Sequence, residues 1–278
     1  MIRELPLVNG HETYGSEGQP RMGFFTDTTV CIGCKACEVA CKEWNLVPED
    51  GLVWTGESYD NTSALGANSW RHVAFVEQQR DGGVRWLMES DVCKHCTHAG
   101  CLDVCPTGAL FRTEYGTVVV QEDVCNGCGY CVIACPFGVL DQRHLADETG
   151  KDDGRVWKCT LCYDRLKDGH EPACAKACPT DSIQFGPLDE LRERAAKRLE
   201  KLEGEDAWEG ARLYGHDEED GVGGFGAFFL LLDEPEVYGL PPDPVVPTKH
   251  IGQSWAAALS AAGALALGVL AAFAGGRS

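Results

Sequence analysis

Apolar positions along the chain fall mostly into short stretches, with few long enough to cross a domain. Gly23-Phe24-Phe25-Thr26-Asp27 predicts a short strand, and Glu38–Trp44 predicts a helix. Residues 45–70 are rich in Gly, Asn and Ser and read as a loop insertion. Its aromatics, Trp54, Tyr59 and Trp70, either face a partner or pack inward. His72–Gln78 and Val84–Glu89 alternate apolar with polar around Arg80-Asp81-Gly82-Gly83, which predicts a β-hairpin. Thr117, Val118, Val119 and Val120 form a β-branched run and a further short strand.

From Leu188 the period changes. Leu188, Leu191, Ala195, Leu199 and Leu202 recur at helical spacing, with Glu190, Arg192, Arg194, Lys197 and Lys201 between them. This predicts an amphipathic helix ending at Gly204, packed on the body with a solvated charged face rather than docking a partner. Gly221–Gly224 then leads into an apolar strand, Phe225–Leu232. The glycine spacing does not match a nucleotide-binding fingerprint, so a turn is expected. Pro235, Pro241, Pro242, Pro244 and Pro247 predict an extended, non-helical linker. Beyond it, Trp255–Phe273 carries no charge. At 1.5 Å per residue it reaches roughly 28 Å, enough to cross a bilayer core. An Ala-rich soluble helix is the competing reading. Ala261, Ala262, Gly263 and Gly268 suit close packing on another membrane helix.

The cysteines change this picture. All 16 fall into four runs. The central two are Cys93-x2-Cys96-x4-Cys101-x3-Cys105-Pro106 and Cys125-x2-Cys128-x2-Cys131-x3-Cys135-Pro136. Cys31-x2-Cys34-x2-Cys37-x3-Cys41 precedes them, and Cys159-x2-Cys162-x11-Cys174-x3-Cys178-Pro179 follows. The C-x2-C-x2-C-x3-C-P spacing is that of two-cluster ferredoxins, in which three close thiolates hold one cubane and the fourth reaches the other. Paired C-x2-C units also suit zinc, but zinc sites seldom add the x3-Cys-Pro ending found here three times. Disulfides fit poorly, because such tight loops suit a metal better than a cross-link. Cys105-Pro106-Thr107-Gly108-Ala109-Leu110, Cys135-Pro136-Phe137-Gly138-Val139-Leu140 and Cys178-Pro179-Thr180-Asp181-Ser182-Ile183 repeat one element. Lys42 follows Cys41, so there the helix is expected to continue. The expectation is an α+β fold of duplicated ferredoxin modules holding four 4Fe–4S clusters.

Among neighbours of the cysteines, His95 and His98 either bond a cluster sulfur or lie solvated in their loop, the commoner case. Lys94 and Lys158 either offset cluster charge or sit at the surface, again the commoner case. The formal net charge is −19, and no basic stripe is present, which excludes nucleic acid as a partner. Residues 1–22 carry no secretory signal and no twin-arginine pair, and read as an extended arm, either lying on a partner or loose. No Ser/His/Asp set or carboxylate pair stands out, so no substrate chemistry and no small-molecule substrate are expected of this chain itself.

The chain resembles the iron–sulfur (beta) subunit of membrane-bound formate dehydrogenase, within the four-cluster subunits that serve molybdenum and tungsten oxidoreductases. Carrying the likeness are Gly23–Asn45 with Cys31-Ile32-Gly33-Cys34-Lys35-Ala36-Cys37, Cys93-Lys94-His95-Cys96-Thr97, Lys158-Cys159-Thr160-Leu161-Cys162 and Glu171-Pro172-Ala173-Cys174. Gly221–Gly224, Pro235-Glu236-Val237-Tyr238-Gly239-Leu240-Pro241 and the single C-terminal span resemble the formate dehydrogenase branch more narrowly. Nitrate-reductase-type relatives have tryptophan where this chain has Cys128, so four full cubanes are implied.

The resemblance implies a pairing of runs. Cys31, Cys34, Cys37 and Cys178 would hold one cluster, and Cys41, Cys159, Cys162 and Cys174 its neighbour. Cys93, Cys96, Cys101 and Cys135 would hold a third, and Cys105, Cys125, Cys128 and Cys131 the fourth. The domain expectation follows: an arm (1–22) and a double ferredoxin-like domain (23–186), then an extension (187–233), a linker (234–253) and an anchor (254–274). Within the double domain, one module joins 23–45 with 155–186, the other is 90–145, and 46–89 is an insertion. The resemblance further implies relay of electrons from a formate-oxidising molybdopterin alpha subunit to a membrane cytochrome b gamma subunit and quinone. The cluster domain would lie on the outer face of the cell membrane. A hydrogenase or sulfur-compound reductase subunit, or a free-standing polyferredoxin, are the alternatives; an anchor counts against the last.

Overall fold

Phe24 and Phe25 are adjacent aromatics, which strand geometry sends to opposite faces. Both are fully buried, so strand β1 (Met22–Asp27) is covered on both sides. The computed structural model describes residues 20–51, 54, 56, 59–62, 64–80, 83–144, 154–202, 208 and 210–275. Residues 1–19 of the expected arm and Gly204 lie outside these.

A single 3-10 turn leads from β1 to the first cysteine loop, and α1 (Ala36–Asn45) carries Cys41. As expected, the helix runs on past Lys42, and it closes at Leu46 in the left-handed conformation. In the insertion, Trp70 is buried and stacks on Trp157, whereas Trp54 and Tyr59 stay exposed. The hairpin is longer than the alternation suggested: β2 (Arg71–Arg80) pairs antiparallel with β3 (Gly83–Val92) along its length.

Next come α2 (Gly100–Asp103), β4 (Leu110–Arg112) and β5 (Val118–Val120), the two strands forming a hairpin. After α3 (Tyr130–Ala134), β6 (Asp141–Gln142) pairs antiparallel with β7 (Val156–Trp157). Then follow α4 (Tyr163–Lys167), α5 (Ala173–Lys176), β8 (Ile183–Pro187) and α6 (Leu188–Leu202). Helix α6 buries Leu188, Leu191, Ala195 and Leu202, so its apolar face packs on the body as its spacing predicts.

The chain closes on itself through a four-stranded sheet in the order β8-β1-β10-β9, completed by β9 (Arg212–Tyr214) and β10 (Ala227–Leu231). β1 pairs antiparallel with β8 (Phe25↔Gln184) and parallel with β10 (Phe25↔Phe228). Phe228, Phe229, Leu230 and Leu231 are fully buried. α6, β9 and β10, within the expected extension, are therefore part of this sheet and its core. Residues 234–253 also differ from expectation. Pro235–Tyr238 and Pro247–His250 form 3-10 turns, with proline in the first turn where no amide hydrogen is needed. Pro235, Tyr238, Leu240 and Val246 are buried, so the segment is packed down instead of extended.

Helix α7 (Ile251–Gly275) is exposed along its described length, and within it Ile251–Ala274 is long and apolar enough to cross a membrane. Its base is fixed to the body. Val246 lies against Gly100, where a Cβ would meet its Cγ1 at 3.1 Å. Thr248 donates to Asp103, and Lys249 to the carbonyl of Asp220.

Candidate iron–sulfur centres

The four cysteine loops share one backbone device. The residue two places after the first cysteine of each run is left-handed: Gly33 (φ 63°), His95 (φ 45°), Gly127 (φ 71°) and Leu161 (φ 57°). Glycine adopts this freely, whereas His95 and Leu161 need holding. His95 accepts the Val118 amide hydrogen at Nδ1 (3.0 Å), and Leu161 is buried with its amide donating to Cys159 Sγ at 3.3 Å. The repeated Cys-Pro element is equally regular, with Gly108, Gly138 and Asp181 all left-handed.

Elements then carry cysteines of distant runs to one another. Asp27 and Ser182 exchange bonds, Asp27 N–H to the Ser182 carbonyl (2.8 Å) and Ser182 Oγ to the Asp27 carbonyl (2.7 Å). This brings Cys178 to the first loop, and Cys31, Cys34, Cys37 and Cys178 line one pocket. Burial pushes the Cys31 thiol up, and Cys178 and Cys34 add to it. Cys41 on α1 is pushed up by burial and then by Cys159, Cys174 and Cys162. For Cys96 the neighbours after burial are Cys93, Cys101 and Cys135. Cys131 rises to about 11 through burial and then Cys125, Cys105 and Cys128. The thiols thus stand in four quartets, each drawing three members from one run and one from another.

The quartets also form a row. Cys37 of the first faces Cys174 of the second, Cys159 of the second faces Cys93 of the third, and Cys101 of the third faces Cys131 of the fourth. Among the described residues no group of His, Cys, Asp or Glu closes on a single ion. Quartets of soft thiols too open for one zinc ion fit a cluster better. Burial holds Cys101 and Cys159 up at about 12, the cost of an uncompensated thiolate, which iron ligation offsets by displacing the proton.

Polar groups are set on the sulfurs. Cys37 Sγ and Ser90 Oγ lie 3.3 Å apart, and Arg71 Nη2 donates to Cys174 Sγ at 3.4 Å. Asn45 Nδ2 reaches both Cys41 Sγ (3.7 Å) and Cys162 Sγ (4.0 Å). Ser90, Asn45 and Arg71 escape a sequence reading because nothing in their spacing ties them to a cysteine. Three readings of loop residues are corrected. His95, Lys94 and Lys158 are buried, not solvated. The cause is the strand pair β4/β5 and the run Val222–Ala227, which cover the second and fourth loops. His98 N–H donates to the Val222 carbonyl (2.8 Å), Thr97 N–H to that of Gly224 (3.1 Å), and Ala227 N–H to that of Lys94 (3.0 Å). Gly223 (φ 73°) and Gly224 (φ 77°) form the turn there.

Repeated Cys loops, each feeding a neighbour's quartet, define the class of ferredoxin-type proteins that bind 4Fe–4S clusters. Two family models described as a 4Fe–4S dicluster domain match residues 30–109 and 84–188. The nitrate-inducible formate dehydrogenase iron–sulfur subunit of Escherichia coli (strain K12) is 42% identical over 253 residues, 90% of this chain and 81% of that protein. The formate dehydrogenase iron–sulfur subunit of Haemophilus influenzae is 40% identical over 88% of this chain and 76% of its own. The B polypeptide of the anaerobic dimethyl sulfoxide reductase of E. coli is 39% identical over 179 residues, 62% of this chain and 76% of its own. The chain belongs to the family of formate dehydrogenase iron–sulfur subunits.

Proposed function

We propose that this chain relays single electrons through four 4Fe–4S clusters, from a formate-oxidising molybdopterin subunit to a membrane cytochrome b and quinone. The observation that carries this reading is the row of four thiol quartets in which each faces the next. Cys31, Cys34, Cys37 and Cys178 hold the first cluster; Cys41, Cys159, Cys162 and Cys174 hold the second. The third takes Cys93, Cys96, Cys101 and Cys135, and the fourth Cys105, Cys125, Cys128 and Cys131. The clusters would supply the one-electron chemistry; the chain fixes their order, buries seven of the sixteen cysteines and sets the charge around them. Residues 23–45 with 155–186 form one ferredoxin-like module and 90–145 the other.

Direction along the row has its own support. The base of α7 is fastened to α2, between Cys101 and Cys105, so the third and fourth clusters lie towards the membrane. Apolar side chains stand exposed within the terminal loops, Ile32 at one end and Tyr130 and Ile133 at the other, as docking faces for two partners would require. The cluster domain lies on the outer face, which protease treatment of intact spheroplasts tests; a protected domain places it inside. The decisive experiment is co-purification of the full-length protein from detergent extracts. A molybdopterin subunit, four clusters' worth of iron and reduction of the clusters by formate are expected. A dimethyl sulfoxide reductase subunit in its place supports the second reading, favoured by the 179-residue likeness to such a polypeptide. A nickel–iron subunit supports a hydrogenase.

A further inference from the structure

Two cations buried among the quartets bond no carboxylate among the described residues. Arg71 at the start of β2 is 2% exposed and Lys158 is 2% exposed. Arg71 donates from Nη1 to the Ser90 carbonyl (2.9 Å) and Oγ (3.2 Å), and from Nη2 to Cys174 Sγ. Its guanidinium lies over the Phe24 ring at 4.9 Å, and its buried Nε meets no acceptor. Lys158 Nζ donates to the carbonyls of Cys159 (2.8 Å) and Val118. Lys94, the third buried cation here, is different, because it pairs with Asp91.

A buried charge with only neutral acceptors is costly and persists where an opposite charge meets it. Glu89, a buried carboxyl near Arg71, is pushed up by burial towards its neutral form, which leaves sulfur as the opposite charge around Arg71. Arg71 Nη2 touches Cys174, and Ser90 Oγ, which Nη1 bonds, lies 3.3 Å from Cys37 Sγ. Those thiols belong to the first and second quartets. Lys158 likewise bonds the Cys159 carbonyl of the second quartet and that of Val118, whose amide donates to His95 between Cys93 and Cys96 of the third. Each cation therefore sits at a junction: Arg71 between first and second, Lys158 between second and third.

We infer that Arg71 and Lys158 are potential-setting residues, fixed positive charges at the first two junctions of the row. The inference rests on the four-cluster reading above. An electron on one cluster repels an electron arriving on its neighbour, and a cation between the two stabilises the reduced form of both. The electron itself passes from cluster to cluster, and neither side chain gains or loses a proton or a bond. Each cation raises two potentials, and the second cluster, touched by both, is raised twice.

The test uses the full complex, with iron counted and each cluster's midpoint followed by EPR redox titration. R71M and K158M are each expected to keep all their iron and to lower two potentials out of four. Reduction weakens by about tenfold or more at each affected cluster, about 59 mV for one electron. One cluster moves in both variants, and one, the fourth, moves in neither. R71K and K158R restore the potentials, which a packing role would not produce. Unmoved potentials, a uniform shift of all four, or an R71K that behaves as R71M overturn the inference. If R71M loses iron, recovery of that iron in R71K upholds the need for charge, and failure to recover it makes Arg71 a packing residue. A wild-type complex with fewer than four clusters instead overturns the reading beneath.

Discussion

Single residues decide which cluster a thiol serves. Cys178 ends the last run in sequence, yet it stands beside Cys31 because Ser182 and Asp27 bond across β8 and β1. Cys178→Ser is expected to lose or shift the cluster of Cys31, Cys34 and Cys37, since serine is a harder and poorer ligand for this iron. Cys41→Ser strikes the cluster of Cys159, Cys162 and Cys174. EPR or Mössbauer spectra decide it: a Cys178→Ser spectrum matching Cys159→Ser rather than Cys31→Ser refutes the crossed arrangement. The crossing was half legible in the sequence. The x3-Cys-Pro spacing says that the fourth thiol leaves its own loop, but the partner loop came only through likeness to a family. Burial was not legible at all for Lys94, His95 and Lys158, because the segments that cover them, Val222–Ala227 over the first two and β5 over Lys158, lie far along the sequence from the residues they cover.

At the scale of elements, periodicity served well where one face meets the body. Helix α6 buries four of the five residues its spacing picks out, with Leu199 half-buried. Leu191→Ala should lower stability by about 2–5 kcal/mol, read as an earlier midpoint when loss of cluster absorbance is followed in urea. The proline-rich segment was misread because proline forbids a helix interior but suits a first turn. The insertion is held by charge. Asp60 accepts from Lys35 Nζ at 2.7 Å and bonds His72. Burial alone would raise the Asp60 carboxyl, but Lys35 and His72 hold it below its usual 3.8. A carboxyl lowered in the folded chain stabilises above that usual value, and the contribution is lost as pH falls below it. Asp60→Asn should therefore expose residues 46–70 to limited proteolysis at neutral pH; cleavage at the wild-type rate would refute the clasp. The same scale governs α7. Removing Ser254–Ser278 should release the protein from membranes with every cluster retained, because Cys178 is the last cysteine. Full-length protein that is soluble after gentle lysis removes the premise.

Over the whole molecule, the row gives electron flow a route with two ends. If the fourth cluster is the membrane end, Cys128→Trp should slow delivery to quinone while a soluble dye still takes electrons from formate. Equal loss of both activities in an intact complex reverses or rejects that order. The row was legible only as an inventory of sixteen thiols. Its order depends on the strand pairings, above all the antiparallel β1–β8 pair that carries Cys178 to the first loop, which no local pattern announces.

Those pairings dictate a timetable for biosynthesis. The fourth quartet has all its thiols once Cys131 is made, and the third once Cys135 is made. The second waits for Cys174 and the first for Cys178. β1, among the earliest residues synthesised, finds its parallel neighbour only when Ala227–Leu231 appears. Contacts so distant in sequence form late and slowly. The ribosome thus releases a polypeptide whose middle can accept iron before its beginning can, and whose first strand locks the finished centres in place last.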